Sequence, residues 1–234
     1  MKPKLNIADL TIINKAKERL LLHYINNNEN LYKLLNQRAE ALLLKNLAME
    51  KMTVGMIESL ARTLEAKDRY TEGHSQRVAD YAVQVGIKLG FSQQDIENLR
   101  LASLLHDMGK IGIPERILNK SGSLTETEFE QIKAHPSIAA RMLEPLDVFK
   151  PLIPWIEFHH ERYDGKGYPR GIAGKAIPLE ARIISLADSY DAMTSDRPYR
   201  KALPIKMALR EIAKHGGTQF DPQLTEVFLE VFDN

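Results

Sequence analysis

Apolar residues recur at i, i+3 and i+4 through nearly every segment of this 234-residue chain, and strand-type alternation is almost absent. Such a chain can bury its apolar surface only by packing helix on helix, so the reading is all-α. Residues 7–25 form one periodic segment, with Asp9 or Thr11 as caps, and the NNNEN run at 26–30 reads as a turn. From Leu31 to about Ala66 there is no proline and one glycine, Gly55, which predicts a second helix. Leu35, Leu42 and Met49 recur every seven residues there, and Leu31, Met52, Met56, Leu60 and Leu64 extend the stripe. The stretch is long for a globular helix, so residues 31–66 are expected to pair with a second copy or to carry a signal. The plainer alternative is an amphipathic helix packed on its own domain.

The character changes after Asp68. Helices are expected at about 73–90, 92–110 and 125–134, where Ser92 with Asp95 and Thr125 with Glu128 form N-terminal capping pairs. Pro136 suits the first turn of a further helix, with His135 just before it. Residues 164–178 (DGKGYPRGIAGKAIP) are glycine-rich, contain two prolines and read as a long loop of the kind that carries function. Helices resume at about 179–194, 204–215 and 222–232. The division expected is an N-terminal helical extension over 1–55 and a catalytic domain over 56–234.

The chain has no cysteine, which excludes disulfides, thiolate zinc sites, iron–sulfur clusters and a cysteine nucleophile together. A net charge of +1 gives no reason to expect a nucleic acid polymer or an anionic membrane as partner. No run approaches the roughly 18 apolar residues of a membrane span, and the opening MKPKLNIADL lacks the apolar core of a signal peptide. The expectation is a cytoplasmic protein without membrane insertion.

Its seven histidines are unevenly placed. Five of them, His74, His106, His135, His159 and His160, fall 24 to 32 residues apart except for the one adjacent pair. In an all-α chain that spacing puts each on a different helix or helix end, and helices of one bundle can project such side chains into a shared interior. His106-Asp107 and His159-His160 each offer two donors from one turn. Asp188, in the apolar run RIISLADSYDAM, would point inward, and Asp107 is the candidate to bridge two cations. Imidazole and carboxylate donors without thiolate fit iron, manganese, zinc, cobalt or nickel. Seven ligands exceed the needs of one four-coordinate ion, so two divalent metals are expected. A lone histidine is more often a capped or solvated residue than a ligand, so only the whole set points to metal.

The series GHSQRVADYA (73–82), LLHDMGKIGIP (104–114), KAHP (133–136), HHERYDGKGYP (159–169) and LADSYDAMTSDRPYR (186–200) resembles the HD-GYP family. Members are HD-superfamily phosphodiesterases acting on the bacterial second messenger cyclic di-GMP, and the resemblance covers about residues 56–232. It implies a helical bundle with a di-metal centre in its interior, held by His74, His106, Asp107, His135, His159, His160 and Asp188. It also implies that Lys110 reaches a substrate phosphate oxygen and that Arg197 and Arg200 bind phosphate. Arginine forks and a lysine point charge suit those roles. Some members carry an acidic residue four positions before the first histidine and bind a third metal; here that position is Tyr70, so two metals are expected. The Gly167-Tyr168-Pro169 triplet is intact, and Tyr168 reads as a substrate-side or partner-contacting residue, with a rigid turn as the alternative.

The family chemistry implies in-line attack by a metal-bridging hydroxide, yielding linear pGpG, which a second cut could turn into GMP. A diguanylate cyclase is a candidate partner through the GYP loop. Rival readings are a mononucleotide-directed HD hydrolase, a regulatory module binding cyclic di-GMP or a cyclase without cleavage, and a purely structural metal site. The DGKGYP loop, the complete ligand set and the lack of cysteine argue against them in turn.

Overall fold

The computed structural model describes residues 7–65, 67, 73–196 and 201–233, with side chains from Thr11 onward. Among these residues there are ten α-helices and no strand. The chain divides into two compact units, Met1–Thr53 and Val54–Asn234.

Helix α1 runs unbroken from Ile7 to Glu65, so the turn expected at 26–30 does not form. Asparagine costs a helix only about 0.7 kcal/mol relative to alanine, and neither proline nor glycine occurs between Ile7 and Gly55 to break it. Asn27 places its side-chain amide 3.1 Å from His23 Nε2 one turn back, satisfying polar groups along the helix surface. The heptad residues Leu35, Leu42 and Met49 are 53%, 59% and 53% exposed.

In the second unit follow α2 (His74–Lys88), α3 (Gln93–Leu105), α4 (Glu115–Leu118), α5 (Glu126–Lys133), α6 (His135–Leu143) and α7 (Ile153–Glu157). The order closes with α8 (Leu179–Thr194), α9 (Ile205–Lys214) and α10 (Pro222–Phe232). Helix α2 packs against α3, α8 and α10, while α8 also meets α7 and α9. Val78, Ala82 and Val85 of α2 are fully buried with Leu99 of α3, Leu186 of α8 and Phe228 of α10. Each large side chain contributes about 1.5–3 kcal/mol by leaving water. Both capping pairs form: Ser92 accepts from the Asp95 amide, and Thr125 with Glu128 makes a full capping box.

The helix expected over 92–110 ends sooner, at Leu105. After His106 and Asp107 the chain tightens into a 3-10 turn, Met108–Gly112, against which the start of α6 packs. A Cβ on Gly109 would lie 1.8 Å from the His135 carbonyl oxygen, so this approach requires glycine. Residues 164–178 form a loop with one 3-10 turn at Gly174–Ala176. That loop and the turn after Asp107 frame the site.

Candidate metal centre

Three imidazoles are oriented by the same local device. His106 Nδ1 lies 2.7 Å from the Ser103 carbonyl, His135 Nδ1 2.8 Å from that of Ile132, and His159 Nδ1 2.6 Å from that of Ile156. A carbonyl only accepts, so each Nδ1 carries the proton and each Nε2 is left with its lone pair. All three Nε2 atoms are buried and have no hydrogen-bond partner among the described residues. A buried polar atom left without a partner is costly and asks for an explanation.

The groups around them supply one. Asp107 Oδ1 lies 3.3 Å from His135 Nε2, while Oδ2 lies 3.5 Å from His106 Nε2 and 3.7 Å from His74 Nε2. Lone pairs facing carboxylate oxygens at this range repel unless a proton or a cation comes between them. Donor atoms of Asp107, His135, His159 and His160 lie within 4.8 Å of one another, as do those of His74, His106 and Asp107. The two groups share Asp107, whose Oδ1 faces His135 and whose Oδ2 faces His74 and His106. Asp188 Oδ1 joins the second group, 3.4 Å from His74 Nε2. This donor set, all imidazole and carboxylate with partnerless Nε2 atoms, fits divalent cations.

Ionisation follows from burial and neighbours. Burial works against charge on Asp107, but its basic neighbours, the Lys110 ammonium foremost, more than offset it and hold its pKa well below the usual carboxylate range. Asp188 is likewise lowered against burial, chiefly by His74. Burial, then neighbouring imidazoles, pushes His159 well down and His160 to about 3, so both are neutral donors. His74 behaves differently: burial opposes its charge, but the Asp191 hydrogen bond, then Asp188 and Asp107, prevail and raise its pKa.

A cavity of about 320 Å³ opens over these groups, lined by His74, Asp107, Lys110, His135, His160 and Tyr168 among others. Lys110 Nζ donates to Asp107 Oδ2 at 2.6 Å from the mouth of the 3-10 turn. The Tyr168 ring lies 4.8 Å from that of His160, and its amide donates to the His160 carbonyl at 3.2 Å. Burial pushes the Tyr168 phenol up, so it stays protonated. A Cβ on Gly167 would lie 2.3 Å from the Arg162 nitrogen, so glycine lets this loop fold onto the HHE turn. All seven expected ligands, with Lys110 and Tyr168, are thus gathered in one place. Arg197, Arg200 and Tyr70 lie outside the described residues.

Sequence reasoning missed several residues that hold the site. Asp191 Oδ2 sits 2.7 Å from His74 Nδ1 and is itself clamped by Arg77, whose Nε and Nη2 donate at 2.6 and 3.1 Å. Such a carboxylate behind a histidine orients the ring and raises its basicity. The i, i+3 spacing of Asp188 and Asp191 on α8 was the available signal. Glu161, next to the histidine pair, accepts from the Arg170 and Gly171 amides at 2.6 and 3.0 Å and pins the GYP loop.

A family model described as an HD domain matches residues 58–224. The chain belongs to that family, in its HD-GYP branch. A 3'3'-cGAMP-specific phosphodiesterase of Vibrio cholerae is 42% identical over 168 residues, covering 72% of this chain and 36% of its own length. A cyclic di-GMP phosphodiesterase of Thermotoga maritima is 39% identical over 180 residues, covering 75% of this chain and 48% of its own length. The chain therefore spans less than half the length of these two relatives. In fold it resembles the crystal structure of a cyclic GMP-AMP specific phosphodiesterase of V. cholerae, with a TM-score of 0.59. That likeness has 22% identity and covers 76% of this chain and 48% of the other.

Proposed function

We propose that this chain is a metal-dependent phosphodiesterase that hydrolyses cyclic di-GMP to pGpG, with GMP as the product of a second cut if one follows. The carrying observation is the set of buried imidazole nitrogens around Asp107 that have no partner among the described residues, with Asp107 Oδ1 facing His135 and Oδ2 facing His106. Two divalent ions, iron or manganese first, fit the thiolate-free donors. His74, His106 and Asp188 with one Asp107 oxygen would hold one, and His135, His159 and His160 with the other oxygen the second. When bound, such ions acidify water and neutralise charge on the phosphodiester. Lys110 would place its cation on a non-bridging phosphate oxygen, and Tyr168 would wall the cavity against the substrate. Arg197 and Arg200 would bind phosphate by the family pattern.

The catalytic domain would take residues 56–234, and residues 1–55 a helical extension for dimerisation or signal transfer. Exposed Lys166, Arg170 and Lys175 give the GYP loop a cationic edge suited to contact a diguanylate cyclase. The exposed stripe on α1 supports a homodimer. A second reading of the substrate is 3'3'-cGAMP, favoured by the name of the 42% identical relative. Metal analysis of anaerobically purified protein, with turnover of both cyclic dinucleotides measured side by side, tests the proposal. Faster loss of cyclic di-GMP with pGpG formed supports it. Faster loss of 3'3'-cGAMP assigns that substrate instead, and binding without product returns the regulatory reading.

A further inference from the structure

The end of α1 reaches the backbone on both sides of His74. Glu65, the last residue of α1, is buried, and its two carboxylate oxygens accept hydrogen bonds from the Gly73 and Ser75 amides, each at 2.8 Å. These are the residues flanking His74, which begins α2. Gly73, the N-cap, is left-handed at φ 69° and has no side chain with which to cap the helix. The first amides of a helix need acceptors, and a carboxylate there also complements the helix dipole. Glu65 fills that role from another helix.

Two residues on, Lys67 Nζ donates to the carbonyls of Ile111 and Ile113, each at 2.8 Å. Those carbonyls close the turn that begins at Asp107 and carries Lys110. The Asn119 side-chain amide in turn donates to the Lys67 carbonyl at 3.0 Å. The same short segment thus ties down the backbone beneath His74 and beneath the Asp107 turn.

We infer that Glu65 is a positioning residue for the candidate metal centre, fixing the His74 backbone so that its ring, held by Asp191, presents Nε2 to the ion. Lys67 performs the matching task for the turn bearing Lys110. The inference rests on the metal-centre reading above. Residues that orient a ligand from behind typically carry ten- to a hundredfold of metal affinity.

The test is manganese(II) titration of the chelator-stripped full chain, comparing wild type with Glu65→Gln, Glu65→Ala and Ser92→Ala. The last removes a cap from α3 at the end away from His106, and reports what loss of a helix cap alone does. Glutamine keeps one acceptor oxygen, so affinity should fall by about tenfold in Glu65→Gln and further, towards a hundredfold, in Glu65→Ala. Ser92→Ala should bind as wild type while melting lower. If both Glu65 variants bind manganese like wild type, or lose no more than Ser92→Ala, Glu65 has no positioning role. Should Glu65→Ala fail to fold, Glu65→Gln decides alone. A wild-type chain that takes up neither manganese(II) nor, without oxygen, iron(II) sinks the metal-centre reading itself, and this inference with it; where iron(II) alone binds, the same comparison is read with iron(II).

Discussion

Asp107 is the residue on which the two histidine groups converge, and its neighbours keep it charged although it is buried. Asp107→Ala should therefore abolish metal retention and hydrolysis together. Two ions per chain and normal turnover in that variant would refute the shared-ligand assignment. Lys110 separates from it by chemistry, since an ammonium group does not ligate a cation. Lys110→Ala should keep its metals and lose rate roughly ten- to a hundredfold, the worth of one charge-assisted hydrogen bond of about 1.5–3 kcal/mol. Metal content and turnover measured on the same preparation distinguish the two roles. At this scale the sequence was legible where a residue type announces its chemistry: five histidines and two aspartates can be read as donors without a structure. Asp191, Glu161 and Glu65 were not, because a carboxylate that serves a histidine or an amide from behind looks like any surface acid until packing buries it.

Among elements, the periodic segments were legible almost to the residue, α8 over 179–194 included. The misreadings fall where local propensity competes with something it does not encode. Five polar residues at 26–30 weaken a helix without breaking it, and α1 continues through them. The end of α3 is decided instead by the approach of α6 to Gly109, a contact between segments far apart in sequence. The heptad stripe of α1 belongs to this scale too. Leu35 and Leu42 stay more than half exposed in the single chain, which a second copy would relieve. Leu35→Glu with Leu42→Glu should convert a dimer to monomer at equal concentration, since burying each polar group costs at least about 1–3 kcal/mol. Sedimentation of wild type and variant decides, and a wild-type monomer ends the dimer proposal. Metal content should be unchanged in the variant, because every candidate ligand lies beyond residue 73.

For the molecule as a whole, ion binding and folding should be linked. An ion held at about a hundred times its dissociation constant adds about 2.7 kcal/mol. At about 2–4 °C per kcal/mol for a domain of this size, chelation should lower the melting midpoint by roughly 5–11 °C per ion. Calorimetry before and after dialysis against a chelator checks this, and an unchanged midpoint would count against ions in the folded state. No described helix is long and apolar enough to cross a membrane. The three histidines that bond the carbonyl three residues before them carry one further consequence. Each such turn settles within four residues which ring nitrogen is left open, and it needs no distant group to do so. Tertiary packing then has only to bring ready-made donors together. A chain built this way should refill after being stripped without refolding, so the supply of ions around it, more than the shape of its interior, would decide which ones it carries.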